Sequence, residues 1–453
     1  METGAGRLEE LALAPLRRTR RGYYLVLLGL LVIVGVGVFA YSRQLAGGLA
    51  VTGMAPTENK IMWGLYITNF VFFIGISHAG TLISAILRVS KADWRTPVTR
   101  MAEFITVVAL MVGALFPIID LGRPDRMLNV IRYGRFQSPI LWDLFAISTY
   151  LFGSFVYLYL PLIPDLATCR DRLHDNISAP RRWFYRTFSA GWRGAPDQRR
   201  ILAMALVLMM IVIIPVAVSV HTVVSWIFAM TLRTGWNSTM FGAYFVAGAI
   251  FSGTATLIVV MAILRRTNHL EAYITQKQFV YLGYLMAALG MVMVYFNLSE
   301  FVTAGYKLEE GEPVYLNQVF TGTFAPIYWF YIFGGLLLPA LIVLMPWTRN
   351  VAGVLVAAVF VDIAMWLERY IIVVATLRVP QMPYNDLATY APTWVEVAIT
   401  AGAFALFAFL IMVFVKIVPV ISIWEVSEQL EQEQGQPAID ALPFPAAQPA
   451  GGS

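Results

Sequence analysis

Residues 63–88 read WGLYITNFVFFIGISHAGTLISAILR, a run with no Asp, Glu, Lys or Arg before Arg88. About twenty consecutive apolar residues suffice to cross a bilayer as a helix, so this stretch reads as a membrane span. His78 sits inside it. A titratable group at membrane depth is costly and is a functional candidate by default. Worked outward, the chain from Trp63 to Asp143 reads as three spans joined by a short basic loop and a longer Arg-rich one. It also holds Glu103, Asp120, Arg123, Arg126 and Asp143.

The rest of the 453 residues repeats this texture. The chain is 59% hydrophobic and 13% charged, about half the charge of a soluble domain. The fold class is therefore an all-α polytopic membrane protein. Ten transmembrane helices are expected at 23–41, 61–88, 97–120, 138–161, 200–224, 239–264, 278–302, 325–345, 351–377 and 394–417. Pro97, Pro139 and Pro326 stand where a first helical turn tolerates proline. The first run follows Arg17, Arg18, Arg20 and Arg21 and reads as an uncleaved signal anchor, with a short interfacial helix over Leu8 to Leu16 before it. The single cysteine, Cys169, excludes an internal disulfide and a thiolate-ligated cluster.

The net charge of +5 does not point to nucleic acid, because the basic residues lie between apolar runs, where they set topology. Arg88, Lys91 and Arg95, then Arg170 to Arg193, then Arg265, Arg266 and Lys277, then Arg349 follow the even-numbered spans. Both termini are thus expected in the cytoplasm. The loop after span three breaks the pattern with Arg123, Arg126, Arg132 and Arg135. Those arginines either pair with Asp120, Asp125 and lipid phosphates or form a docking or gating surface. The tail from Glu425 is acidic, then Pro/Ala/Gly-rich, and reads as disordered.

An internal repeat organises the middle. Ser77-His78-Ala79-Gly80-Thr81-Leu82-Ile83 in span two matches Ser252-Gly253-Thr254-Ala255-Thr256-Leu257-Ile258 in span six. Ser138-Pro139-Ile140-Leu141-Trp142-Asp143 in span four matches Ala325-Pro326-Ile327-Tyr328-Trp329-Phe330 in span eight. Two parallel four-helix bundles follow, spans 2–5 and 6–9, flanked by helices 1 and 10. The division is 1–60 for the N-terminus and anchor helix, 61–231 for the first unit, 232–377 for the second, 378–424 for the tenth helix and 425–453 for the tail. His78 aligns with Gly253 and Asp143 with Phe330, so the second unit is apolar where the first is ionisable. A scaffold that can do without these groups in one copy uses them for more than packing in the other.

Counted along the helices, His78 lies about 15 Å from the inner end of its span, near the midplane, and Asp143 one to two turns further out. An imidazole and a carboxylate flanking a space near the outer surface are what a quinol needs, since each of its two hydroxyls must lose a proton as electrons leave. Histidine titrates near neutral pH and suits one of these protons. The plainer alternative is a buried His–Asp pair that ties helices together. Asp120 could relay a proton outward or simply pair with Arg123. His221 reads as a satisfied interfacial histidine at the rim, together with Arg126. By the same counting His221 stands about 30 Å up its span, too far from His78 for both to ligate one haem, so no haem is expected. A second polar group comprises Glu300, Asp362, Glu368 and Arg369; it is either a packing pair or a proton path with Glu103 as its cytoplasmic starting point.

Trp63-Gly64-Leu65-Tyr66-Ile67, the Ser77–Thr81 segment, Leu121-Gly122-Arg123-Pro124, Ser138–Asp143, Val218–Ser225, Tyr244–Gly253 and Met365-Trp366-Leu367-Glu368-Arg369 together resemble the NrfD/polysulfide-reductase membrane subunit family. The ten-span form most resembles the quinol-oxidising NrfD-like subunit of bacterial alternative complex III. The resemblance implies binding of menaquinol or ubiquinol near the outer face and electron transfer to a partner, with no haem or iron–sulfur cluster in this chain. The implied partners are an iron–sulfur subunit, c-type cytochrome subunits and a second NrfD-like subunit. The implied place is the bacterial inner membrane. By this likeness the quinol role falls on His78 and Asp143, and Trp142, Asp120 and Arg123 complete the expected quinol-binding set. The chain departs from the pattern at Asp120, where members often carry histidine. Two other readings stand beside this one: a secondary transporter and a non-catalytic NrfD-like anchor.

Overall fold

The computed structural model describes residues 4–17, 19–54, 61–89, 92–173, 177–381 and 386–427. It opens with α1 (Gly4–Arg17) and α2 (Arg21–Gly47). The second span is α3 (Leu65–His78), which passes through a π-helical turn at Ala79–Ile83 into α4 (Ser84–Val89). The third joins α5 (Thr96–Gly113) to α6 (Leu115–Asp120). After the short α7 (Asn129–Arg132) come α8 (Pro139–Arg172), the connecting α9 (Ala179–Phe188) and α10 (Pro196–Ala229). The second unit holds α11 (Phe241–Thr267), α12 (Gln276–Lys307) and the connecting α13 (Glu312–Phe320). It continues with α14 (Ala325–Trp329), a π-helical stretch Phe330–Leu337 and α15 (Leu338–Leu344). Its last span is α16 (Val351–Tyr370), a π-turn Ile371–Ala375 and α17 (Thr376–Arg378). The chain's tenth span is α18 (Trp394–Ile417).

The fold is all-α. Among the described residues nine helical segments are long and apolar enough to cross a membrane, and Leu65–His78 is a shorter apolar tenth. Pro97, Pro139 and Pro326 each occupy a first turn, where the missing N–H costs nothing. Helices α8 and α10 run longer than expected, 34 residues each. That is about 51 Å of helix at 1.5 Å per residue, against about 30 Å of hydrocarbon, so several turns of each project beyond it.

In the first unit α3 packs on α5, α5 on α8, and α8 on α10; in the second, α11 packs on α12 and α16, and α15 on both α12 and α16. The units meet where α3 and α10 lie against α11. The approach there is close, with a Cβ placed on Gly75 only 3.5 Å from the Ser252 hydroxyl. Outside the units α2 and α18 run against each other, so closely that a Cβ on Gly37 would lie 3.1 Å from the Gly402 Cα. Small residues allow such backbone approach in lipid. Helix α1 caps the basic end of this pair. Its Leu13 and Leu16 are buried, and Lys416 Nζ donates to the Pro15 carbonyl at 2.7 Å.

The π-turn after His78 leaves the Ser77 carbonyl to other donors. A backbone oxygen without a partner in lipid is expensive. Two hydroxyls reach it: Thr106 Oγ1 at 2.7 Å and Tyr150 Oη at 3.0 Å. Gly80 lets α5 close in, since a side chain there would strike the Ala102 carbonyl and Thr106.

The start of the expected disordered tail needs correction. Residues 423–427 form a helical turn, and Glu425 is buried in ion pairs with Arg88 at 2.9 Å and Arg95 at 3.5 Å. The acid sits there because three arginines at that end need countercharge. The remaining tail, 428–453, lies outside the described residues.

Candidate functional site

His78 ends α3 and is fully buried. Its Nδ1 lies 2.9 Å from the Ile74 carbonyl one turn back, and its Nε2 2.6 Å from the Ala217 carbonyl of α10. A neutral imidazole has one N–H and can serve only one of these acceptors. Tyr150 of α8 packs on the ring at 4.9 Å between centroids.

The second histidine was misjudged from sequence. His221 is not an interfacial residue at the rim. It is fully buried, its ring lies 4.1 Å from that of His78, and neither of its nitrogens meets a hydrogen-bond partner. The depth count failed because it took Arg200 as the inner end of the span, whereas the helix runs 34 residues from Pro196 to Ala229 and part of it lies beyond the hydrocarbon. The argument against a shared haem therefore changes. The two rings lie at one level, 4.1 Å apart, so the difference in depth that counted against a shared haem does not exist.

Asp143 lies in the second turn of α8 and is buried, 7% exposed, with Oδ1 unpartnered. Seven residues separate it from Tyr150, so the two share a face of α8 about 10.5 Å apart. That places the carboxylate about two turns from the His78 ring, as the helix count expected. No hydrogen bond or ion pair joins the two side chains, so they are not a structural pair. Trp142 beside Asp143 donates its indole N–H to the Phe136 carbonyl and meets Trp226 edge-on.

The Arg-rich connection behaves differently from the buried residues. Arg123 pairs with Asp125 at 2.9 Å, not with Asp120, and both partners are exposed. The Asp125 carboxyl is held below its usual range by the Arg123 hydrogen bonds. Arg126 is exposed as well. Asp120 is partly buried with an unpartnered Oδ1. The structure thus does not bring Arg123 or Arg126 to the buried His78.

The second unit holds its own polar cluster. Glu368 accepts from Tyr244 Oη at 2.6 Å and pairs with Arg369 at 2.9 Å. The Arg369 guanidinium lies over the Phe245 ring at 4.8 Å, and that ring also neighbours His221 at 6.3 Å. Asp362 accepts from Thr256 at 2.9 Å, and Glu300 accepts from Ser238. Glu368 and Glu300 border one pocket, lined mainly by Tyr244, Phe296, Tyr315, Tyr328 and Tyr331. Nothing in the sequence marked this space, because its walls come from four separate helices and α13.

Glu103 lies at the opposite end of the first unit. It accepts from Ser84 at 3.0 Å and pairs with Arg88 at 3.0 Å, while Arg100 and Asp165 form a fully buried pair at 2.9 Å. Sequence reasoning missed this second pair. Asp165 fell beyond the expected end of span four, although it follows the buried Leu158 by seven residues and so shares its face of α8. Among the described residues no three His, Cys, Asp or Glu side chains gather as a metal-ligand group.

Three kinds of relative match this chain. The family described as Polysulphide reductase, NrfD, matches residues 53–381. The membrane subunit of a putative dimethyl sulfoxide reductase of Halobacterium salinarum is 27% identical over 87% of this chain and 91% of its own. A selenate reductase subunit of Mesobacillus selenatarsenatis is 23% identical over 91% and 97%. The integral membrane subunit of a menaquinone reductase of Nitratidesulfovibrio vulgaris is 23% identical over 81% and 84%.

Proposed function

Because the chain belongs to the polysulphide reductase NrfD family, we propose that it is the integral membrane, quinone-handling subunit of a multi-subunit oxidoreductase. In this reading it binds a quinol in the first unit near the outer face, beside Asp143 and His78. The quinol gives up two protons to the protein and two electrons to an iron–sulfur partner. Cytochromes of the c type and a second NrfD-like subunit join them in an assembly of the alternative complex III kind. The relatives named for menaquinone, selenate and dimethyl sulfoxide reduction support a membrane subunit that works with other chains.

The observation that carries the site is the unpartnered Asp143 Oδ1 in a buried position. A buried acceptor without a donor is costly, and the hydroxyl of a bound ring would satisfy it. A para-diol with a hydrogen bond of about 2.7 Å at each end reaches about 11 Å. That matches the two turns between Asp143 and the His78 level. His78 takes the second proton when one of its nitrogens exchanges a backbone carbonyl for the other ring hydroxyl. Trp142 and Trp226 supply flat apolar surface beside the ring.

A photoreactive quinone analogue, irradiated with the assembled complex, tests this. Labelled peptides should come from α8 and α10 around Trp142 and Trp226. Label confined to the lining of the second-unit cavity would move the substrate to that unit and sink the assignment.

A further inference from the structure

His221 stands out among the buried titratable side chains of the described residues. It is fully buried, and both ring nitrogens lack a partner. Its surroundings belong to both units. His78 of α3 touches it at 4.1 Å, Phe245 of α11 lies at 6.3 Å, and the Arg369 guanidinium of α16 is near enough to act on it electrostatically. His78 and Arg369 are the titratable or charged groups that face it. Beyond Arg369 come its partner Glu368, the Tyr244 and Tyr331 hydroxyls 3.4 Å apart, and the cavity that ends at Glu300.

We propose that His221 carries a proton from His78 across the boundary between the two units to Glu368, and that the second-unit cavity is the route by which that proton leaves. This rests on the quinol reading above and adds a direction to it. A quinol O–H bond breaks, its electrons go to the iron–sulfur partner, and an N–H bond forms on His78. His78 then loses a proton, and an N–H bond forms on His221. His221 in turn releases a proton from its other nitrogen to a Glu368 carboxylate oxygen and returns to the neutral state. An imidazole can take a proton at one nitrogen and lose one from the other. His78 alone is poorly placed to finish the transfer, because both of its nitrogens face backbone carbonyls. The His221 nitrogens have no such ties.

The cavity suits an exit. It is lined by Glu368, Tyr244 and Tyr331 together with Glu300 and Asn297. Waters need polar partners to occupy such a space, and these residues supply them. Arg369 fixes Glu368 in place beside it.

The test uses the assembled complex in liposomes, with quinol oxidation and proton release followed together. His221→Phe keeps the ring's volume and removes proton exchange. It should lower quinol oxidation at least tenfold and abolish the proton released on the cavity side. His221→Ala should be similarly slow and recover severalfold in added imidazole, which the Phe variant should not. A histidine that only fills space would be replaced by Phe without loss, so parental turnover in His221→Phe overturns the proposal. If that variant does not assemble, Glu368→Gln decides, and an unchanged proton-to-electron ratio there rejects the route. Inactivity of His78→Ala alongside normal His221→Phe and Glu368→Gln variants rejects this inference and leaves the quinol site standing. Full activity of His78→Ala removes both.

Discussion

Both units bury polar atoms without hydrogen-bond partners, among them Asp143 Oδ1 and the His221 nitrogens in the first and Arg369 Nη2 and the Gln318 amide in the second, but they surround them differently. In the first, Asp143 and His221 are buried with unpartnered atoms, and the His78 ring is closed in by Tyr150 and His221. In the second, Glu368, Asp362 and Glu300 each have a donor, and a cavity lies beside two of them. The sequence repeat predicted an ionisable unit and an apolar one. It compared only aligned positions, and at those it holds: Gly253 replaces His78, and Phe330 opens a π-helical stretch where Asp143 stands in the other unit. The second unit's charges arise elsewhere, on α16 and α12. Two copies of one scaffold can therefore differ in where their polar groups lie as well as in how many they have.

The largest expected effect tests the chemical half of this contrast. His78→Ala should reduce quinol-dependent reduction of the partner by a factor of about 100 or more in an assembled complex, the scale of a lost proton acceptor. Unchanged steady-state rates would leave the first unit without its assigned proton acceptor.

Next comes the buried pair of the second unit. Arg369→Met leaves Glu368 without its cation, which costs about 3–5 kcal/mol when a buried partner is removed. Thermal unfolding in detergent should show a large drop, and the Arg369→Met/Glu368→Met double variant should recover most of it. A double variant as unstable as the single would mean that the pair's charge is not what the arginine supports.

Asp143→Asn and Asp362→Asn set the units against each other directly. Asn keeps the size and hydrogen bonding of Asp but accepts no proton at neutral pH. Asp143→Asn should lower kcat about 100-fold with KM little changed, while Asp362→Asn stays within a few-fold of the parent in electron transfer. The reverse ranking places the substrate in the second unit.

The smallest effect concerns Glu425. Burial acts to raise its carboxyl, but Arg88, Arg95 and Arg100 outweigh it and hold the group below the usual range. A group depressed in the folded state stabilises above its unfolded pKa, and that contribution is lost as pH falls through the folded value. Glu425→Gln should therefore lower the melting temperature at neutral pH, and the gap to the parent should close on acidification below the ordinary carboxylate range. A gap that widens on acidification would contradict the sign.

Spans were legible because apolar run length is a local property, and α18 begins and ends where the sequence placed it, at 394 and 417. His78 and Asp143 were legible because a charge inside such a run stands out. Depth was not. Whether His221 meets His78 depends on how far α10 projects past its neighbours, which no count within one helix reveals. The Arg100–Asp165 pair and the hold of Arg88 on Glu425 were hidden for a related reason. Each joins residues distant in the chain, 65 positions apart in the first case, and basic residues near span ends look like topology signals whether or not they are buried.

The contact of Gly37 with Gly402 has a consequence in time. Within this chain the first membrane-spanning helix, α2, packs mainly against the tenth, α18. At about 5–20 residues per second, the roughly 365 positions from one glycine to the other take about 20–70 s to make. For that interval α2 must wait in lipid with its glycine face bare, held by its arginines. Everything between is threaded before α2 and α18 can close on each other. Shortening the wait, by supplying α18 as a separate chain while the rest is being made, should let that clasp form early.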